Sequence, residues 1–322
     1  MIENLSKIIN KKATRFIAVA ALLAVMATFP LYLGGDWLNL LWSAMFYMLL
    51  ALGLNIIVGY CGLCDLGYAA KFAIGAYTTA ILMKHFGWNF WLTLPASALV
   101  SVAAAALTGG PTLKLRSDYL AIVTLGFAEI VRITALNLDI TGSASGLSVT
   151  RPYFFGIHLT KTTHWYYVFL VLVILFVLVS FRLRHSRFGR ALAFIREDED
   201  AAQAMGVNTT RYKLYAYMIG AVLGGIAGSF YVVKMTSISP SPTSIGFPVS
   251  ANILLAVILG GMGKIPGVIL GAAFFAIFPE LIRLFDIPYL ADLRMLIFGV
   301  LLVVVMIFRP QGLWPDRLKR RG

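Results

Sequence analysis

Residues 38–58 read LNLLWSAMFYMLLALGLNIIV and contain no Asp, Glu, Lys or Arg. A helix of about 20 apolar residues spans the roughly 30 Å hydrocarbon core of a bilayer. Trp37 and Trp42 bound the run at one end, where indole rings suit a membrane interface. The run therefore reads as a transmembrane helix. It ends in Gly59, Gly62 and Gly67, after which apolar sequence resumes and continues to about Lys84.

Comparable runs lie on both sides of it. They cover about 16–33, 91–107, 119–135, 165–181, 214–233, 249–259, 268–282 and 293–308. The runs at 249–259 and 268–282 flank a second glycine-rich break, Gly260, Gly261, Gly263 and Gly267. Counting each broken region as two segments gives ten. The expected fold is an all-α integral membrane protein with about 8–10 transmembrane helices, some broken at glycine-rich segments. Segments beside the breaks are short enough to be re-entrant. Two readings of the paired breaks stand. Interrupted helices in corresponding halves point to an inverted repeat around a transport path. Alternatively, glycine is there for close helix packing.

Composition supports the membrane reading. Of 322 residues, 60% are hydrophobic and only 13% are charged, against roughly 25% in soluble domains. Mean hydropathy is +0.84. A soluble enzyme, a disordered chain and a fibrous repeat are all excluded.

The net charge is +13. Its cations sit between apolar runs: Lys7, Lys11, Lys12 and Arg15 before the first, a group from Arg182 to Lys213, and a group from Arg309 to Arg321. Cytoplasmic loops carry this excess, so membrane topology accounts for it better than nucleic-acid binding does. Ten crossings put both termini, 114–118 and 182–213 in the cytoplasm. They put 137–164 and 234–247 outside. The N-terminus looks like a signal peptide, but its apolar run continues through Phe29, Pro30 and Leu31 to Leu33. We read an uncleaved first span.

Few residues suggest catalysis. The zincin helix and the nucleophile elbow are both missing. Cys61 and Cys64 form a C-x-x-C without the context of a redox motif or the four ligands of a zinc site; they read as small apolar residues of a membrane segment. Gly260-Gly261-Met262-Gly263-Lys264 is not a P-loop: Ile258 and Ile265 occupy two of its required positions.

Charges inside spans are costly and functional by default. Glu129 and Arg132, and again Glu280 and Arg283, are spaced to pair on one helix face. Each pair either neutralises itself against neighbouring helices or lines a gate. Lys71 follows the first break with Asp65 as its sole local partner, and is expected to face a water-filled cavity or another subunit. The stretch 187–206, RFGRALAFIREDEDAAQAMG, is helix-favouring and too polar to span. Arg196 and Asp200 fall i,i+4. A short amphipathic helix here reads as a docking element, the alternative being a solvated loop.

Taken in order, several motifs resemble one family. They are Gly59-x-x-Gly62-x-x-Asp65-Leu66-Gly67-Tyr68-Ala69-Ala70 with Ile74-Gly75-Ala76-Tyr77, then 115–127 (LRSDYLAIVTLGF) with Glu129 and Arg132. Next come 189–192 (GRAL), 195–199 (IREDE), Ala201-Ala202 and Ala204-Met205-Gly206. Residues 259–263 (LGGMG), Pro266-Gly267 and 308–313 (FRPQGL) complete the set. From about Leu52 to Leu313 the chain resembles the permease subunits of high-affinity branched-chain amino acid ABC transporters, the LivM type.

That resemblance implies a non-catalytic translocation subunit of an inner-membrane importer, carrying leucine, isoleucine and valine by alternating access. Its partners would be a second, LivH-type permease, two cytoplasmic ATPases that bind ATP with Mg, and an extracytoplasmic solute-binding protein. No cofactor is expected on this chain. The implied organisation is a cytoplasmic segment at 1–15, a permease domain at 16–308 with a coupling segment at 183–212, and a basic tail at 309–322. The candidate path is Gly59, Gly62, Asp65, Gly67, Lys71, Gly260, Gly261, Gly263 and Lys264. The candidate coupling residues are Arg190, Arg196, Glu197, Ala201, Ala202 and Gly206. Lys71 replaces a usual aromatic, Lys264 a usual Ser or Asn, and 141–147 (TGSASGL) is a variant of the family's T-G-G-x-x-G-L. The alternatives are a related permease for urea, short amides or another amino acid, and a stand-alone channel or carrier.

Overall fold

The computed structural model describes residues 34–113, 117–154, 157–158 and 160–284, with 26, 28–30, 32, 299, 300, 303, 307, 312 and 313 as scattered positions. The expected spans at 16–33 and 293–308, the N-terminal segment and the basic tail lie largely outside them. The described chain is helical, with two minimal strand pairs. Six of the described helices are long and apolar enough to cross a membrane.

Helix α1 (Gly35–Asn55) ends in a π-helical turn, Ile56–Tyr60. A link, residues 61–67, leads to α2 (Tyr68–Phe86), α3 (Phe90–Thr112) and α4 (Ser117–Asn137). Helix α5 (Thr162–His185) follows a polar segment that carries β1 (Leu147–Ser148), β2 (Tyr153–Phe154) and β3 (Ile157–His158). Two short helices, α6 (Arg187–Glu197) and α7 (Glu199–Ala204), precede the long α8 (Thr209–Met235). Strand β4 (Ser237–Ile238), α9 (Pro242–Ile245), α10 (Phe247–Gly260) and α11 (Ile265–Leu284) complete the described elements.

The two ends of the bundle are marked by contacts. At one, β1 pairs antiparallel with β4, Leu147 opposite Ile238, and His85 Nε2 lies 3.2 Å from the Ile140 carbonyl. The expected outer segments, 137–164 and 234–247, therefore share an end. At the other, the Gly263 N–H donates to Asn55 Oδ1 at 2.8 Å, and Arg196 donates to the Gly59 carbonyl. There the end of α1, the start of α11 and helix α6 come together.

This arrangement corrects the expected pairing of the breaks. Both glycine-rich breaks lie at the same end and touch, and α1 and α10 both run toward it. An in-plane two-fold axis exchanges the ends, so it does not relate these breaks. The link that occupies the opposite end, between a long helix and its successors as 61–67 does, is 236–246, beyond α8. Helices α1, α2 and α3 then correspond to α8, α10 and α11. The contacts follow suit: α1 packs on α11 as α8 packs on α3, and α2 packs on α3 as α10 packs on α11. The 236–246 link is rich in Ser and Pro rather than Gly, which hid the correspondence.

Small residues set the central packing. A Cβ on Gly75 would sit 2.3 Å from Gly225 Cα, and one on Gly228 would meet the Phe72 carbonyl oxygen at 2.1 Å. Helices α2 and α8 are thus in backbone contact, the approach small residues permit in membranes. Thr79 Oγ1 donates to Ser229 Oγ at 2.8 Å and Ser229 to Ser97 Oγ at 2.7 Å, tying α2, α8 and α3. Toward the opposite face an aromatic cluster fills the space, Phe46 stacking on Tyr231 at 4.7 Å between ring centres and both meeting Phe72.

Overpacking a close-packed core costs about 1–3 kcal/mol, and backbone contacts leave little room to relax. Gly228→Val is expected to lower the unfolding temperature in detergent by at least that much stability. Gly126→Ala, inside α4 and with nothing within 4 Å of an added Cβ, is expected not to lower it and to raise it slightly. Thermal unfolding followed by size-exclusion fluorescence checks both.

Candidate functional site

The site is the junction where the two interrupted regions meet. A π-turn adds a residue to the helical ladder, and such turns are frequent at functional positions. Here it brings the Gly59 backbone against the second break. Asn55 is fully buried and caps Gly263 across the junction. A Cβ on Gly59 would meet Asn55 Oδ1 at 2.0 Å and Gly263 N at 2.5 Å, so only glycine fits. Gly260 is equally tight, its Cβ position 2.2 Å from the Gly267 carbonyl oxygen. Gly261 and Gly263 take φ of +106° and +83°, a conformation that glycine adopts without steric cost. The Leu313 N–H donates to the Leu259 carbonyl at 2.8 Å, seating the end of the 308–313 motif on the same break.

The link 61–67 leaves backbone groups without helical partners, and side chains take them up. Leu66 N–H donates to Thr124 Oγ1 at 3.1 Å, Gly67 N–H to Asp65 Oδ1 at 2.9 Å, and Ala69 N–H to Ser250 Oγ at 2.9 Å. Asp65 also pairs with Lys71. The Lys71 ammonium lies 3.7 Å from the centre of the Tyr217 ring, and its side chain is only 3% exposed. Lys71 therefore points inside the chain, where Asp65 neutralises it, rather than toward a cavity or another subunit. A lone cation is too costly to bury without such a partner.

The polar stretch 187–206 folds as two helices. Ser186 caps α6 by accepting from Gly189 N–H at 3.1 Å. Asp198 then takes an extended conformation and caps α7, accepting from Ala201 N–H at 2.9 Å. That cap divides the stretch, so Arg196 and Asp200 do not share a helix face, as their spacing had suggested. Arg196 turns inward to the Gly59 carbonyl instead. Helix α7 is fastened to α8 by Glu199–Lys213 at 2.5 Å and by Gln203 donating to Thr209 at 2.9 Å. Ala202 is buried in this contact, and Gly206, with φ +83°, turns the chain in open space.

A cavity of about 450 Å³ opens beside the contact of α6 with the junction; Arg184, Arg190, Arg196, Glu197 and Lys264 line it. Four cations face one carboxylate there. Arg190 also donates to the His185 carbonyl at 3.1 Å. Away from the junction, Arg132 Nε donates to Glu129 at 2.7 Å, and Phe247 N–H approaches the other Glu129 oxygen at 3.4 Å. Glu129 thus also faces the positive end of the α10 dipole. Glu280 lies on α11; the Arg283 side chain is outside the described residues.

The structure brings Gly59, Gly62, Gly263 and Arg196 together, with Lys264 beside them; Asp65, Gly67 and Lys71 form a second, buried group. Reading the sequence missed Asn55, Thr124 and Ser250, the groups that satisfy the breaks. It also missed Phe194 and Met205, which are 38% and 76% exposed on the 187–206 segment. Large apolar residues within a polar stretch were the available signal.

The sequence model of the family described as branched-chain amino acid transport system / permease component matches residues 37–306. LivM of Salmonella typhimurium, a high-affinity branched-chain amino acid transport system permease protein, is 41% identical over 320 residues, covering 92% of this chain and 74% of that one. The chain belongs to this permease family. The probable LivM of Methanocaldococcus jannaschii is 28% identical over 327 residues, covering 86% of this chain and 92% of its own. The high-affinity permease protein LivH of Salmonella typhimurium is 25% identical over 295 residues, covering 83% and 90%. No solved structure matches. The family consists of transport subunits, not enzymes.

Removing one partner of a buried ion pair costs about 3–5 kcal/mol, whereas replacing both by apolar residues is often neutral. Asp65→Asn in this permease is therefore expected to lose most of its folded yield. The double variant Asp65→Leu with Lys71→Met is expected to recover part of it. Equal loss in both, by thermal unfolding, would show that an unpaired Lys71 charge is not the source of the damage.

Proposed function

We propose that this permease is the membrane-spanning subunit of an ATP-driven, binding-protein-dependent importer of branched-chain amino acids in the inner membrane. The observation that carries the proposal is its 41% identity to LivM across 92% of the chain. Relatedness to LivH as well supports a pathway shared with a second, LivH-type permease. On this reading both termini and the 187–206 segment are cytoplasmic. Two ATPases bind ATP with Mg below it, and a solute-binding protein delivers substrate from outside.

The α6–α7 segment is the coupling element of this proposal. Its buried side, Gly189, Leu192 and Ile195, packs on the bundle. Its exposed side offers Arg190, Phe194, Glu197 and Met205 to a groove on an ATPase. An exposed apolar pair rimmed by charge fits a protein interface better than free solvent. Closure of the ATPases then moves α6, and the helices at the junction rearrange to alternate access. The Glu129–Arg132 pair and the two breaks are the candidate path elements. Of the two lysines at the breaks, Lys71 is neutralised by Asp65, and Lys264 lines the cavity among three arginines, a surrounding that suits a carboxylate-bearing substrate such as an amino acid.

The test is uptake of radiolabelled leucine into proteoliposomes holding this chain, its co-encoded subunits and the binding protein, with and without internal ATP. ATP-dependent uptake competed by isoleucine and valine is expected. Flux through the purified chain alone would identify a channel or carrier. Met205→Glu is expected to weaken ATPase association by tenfold or more, about the 2 kcal/mol of an interface anchor. Gly206→Leu is expected to keep assembly and lose coupling between ATP hydrolysis and uptake. Normal uptake in both variants would remove the coupling role from this segment.

A further inference from the structure

Three contacts converge on one side chain. Arg196, in the last turn of α6, donates to the Gly59 carbonyl at the π-turn of α1. A Cβ on Gly263, in the second break, would lie 2.8 Å from Arg196 Nη1 and 2.9 Å from the Gly59 oxygen. A Cβ on Gly62, in the first break, would lie 3.0 Å from Arg196 Cγ. The guanidinium therefore sits where both breaks are bare backbone, and its stem covers the start of the 61–67 link. Gly59, Gly62 and Gly263 each leave the space it occupies.

We propose that Arg196 is a positioning residue that latches the two breaks together from the cytoplasmic segment. The proposal rests on the importer reading for its direction, since ATPase closure is what would move α6. The seam does not seal itself. Asn55 Oδ1 accepts from Gly263, but Asn55 Nδ2 is buried with no acceptor among the described residues. Buried donors of this kind favour opening, and an external charge-assisted bond to Gly59 opposes it. Among the cations that line the cavity, Arg196 is the one that reaches the Gly59 carbonyl. Arg190 serves α5 through the His185 carbonyl. When α6 shifts, the bond to Gly59 breaks and the link 61–67 loses its cover. In this way Arg196 ties the position of α6 to the closure of the inner end.

A native thiol reports on the seam. Cys61, between Gly59 and Gly62, is 3% exposed, and Cys64 is the other cysteine of the chain. In a Cys64→Ser parent, maleimide labelling of Cys61 is followed by mass spectrometry of the full chain in detergent. Arg196→Ala is expected to raise the labelling rate roughly tenfold, the worth of one charge-assisted bond. Arg196→Lys keeps a donor for the carbonyl and is expected to stay close to the parent. Arg187→Ala, an exposed cation on the same helix, is expected to change nothing. An unchanged rate in Arg196→Ala overturns the latch. So does a rate in Arg196→Lys as fast as in Arg196→Ala, because the bond would then not matter. In the assembled importer, ATP turnover is expected to raise labelling in the parent and to add nothing in Arg196→Ala. If the Arg196 effect persists but ATP has no effect on the parent, the latch stands and the importer reading fails.

Discussion

A bilayer offers no water to backbone groups, so an interrupted helix must find hydrogen-bond partners within the protein. This chain interrupts its helices at 61–67 and 261–264 and satisfies the exposed groups with side chains from distant elements. Thr124 takes Leu66 N–H, Ser250 takes Ala69 N–H, Asn55 takes Gly263 N–H, and Arg196 serves the Gly59 carbonyl. Tyrosines do the same for carbonyls inside intact helices: Tyr68 donates to Gly220 and Tyr60 to Ser180. Each such bond joins elements far apart in sequence. The breaks thus fasten α1, α4, α6, α10 and α11 to one another.

Glycine makes those bonds reachable. At Gly59 and Gly260 an added Cβ would enter a neighbouring polar atom, so the breaks depend on close approach as much as on unusual dihedrals. At the α2–α8 contact the same economy of volume brings two helices into backbone contact. The trios α1–α3 and α8, α10 and α11 interlock through these contacts, α1 against α11 and α3 against α8. A transport subunit gains from such a design. Its rigid parts are glycine-packed helices, while the junction is held by a few replaceable hydrogen bonds, one of them from α6.

Much of this was legible in the sequence, and what was not has a physical cause. Apolar runs such as 38–58 announce spans because the bilayer allows nothing else. The Glu129–Arg132 pair follows from helical spacing and forms as spaced. Arg196 was misread because its spacing to Asp200 assumed one helix, and the Asp198 cap makes two. Asn55, Thr124 and Ser250 carried no local signal: a polar residue in an apolar run reads as a packing neighbour until its distant partner is known. The inverted relation was placed on the wrong break because glycine content resembles glycine content, whereas inversion pairs 61–67 with a Ser- and Pro-rich link at the opposite end. Phe194 and Met205 were visible as apolar residues in a polar stretch and were passed over for their charged neighbours.

Hydrogen–deuterium exchange across the two breaks tests the central point most directly. If side chains replace the missing helical bonds, amides of segments 61–69 and 261–264 exchange slowly in the folded permease, and Asn55→Leu speeds exchange in 261–264 while leaving α2 and α8 protected. Rapid exchange of both segments in the unaltered chain would show that the breaks are open to water and that these hydrogen bonds do not hold the junction.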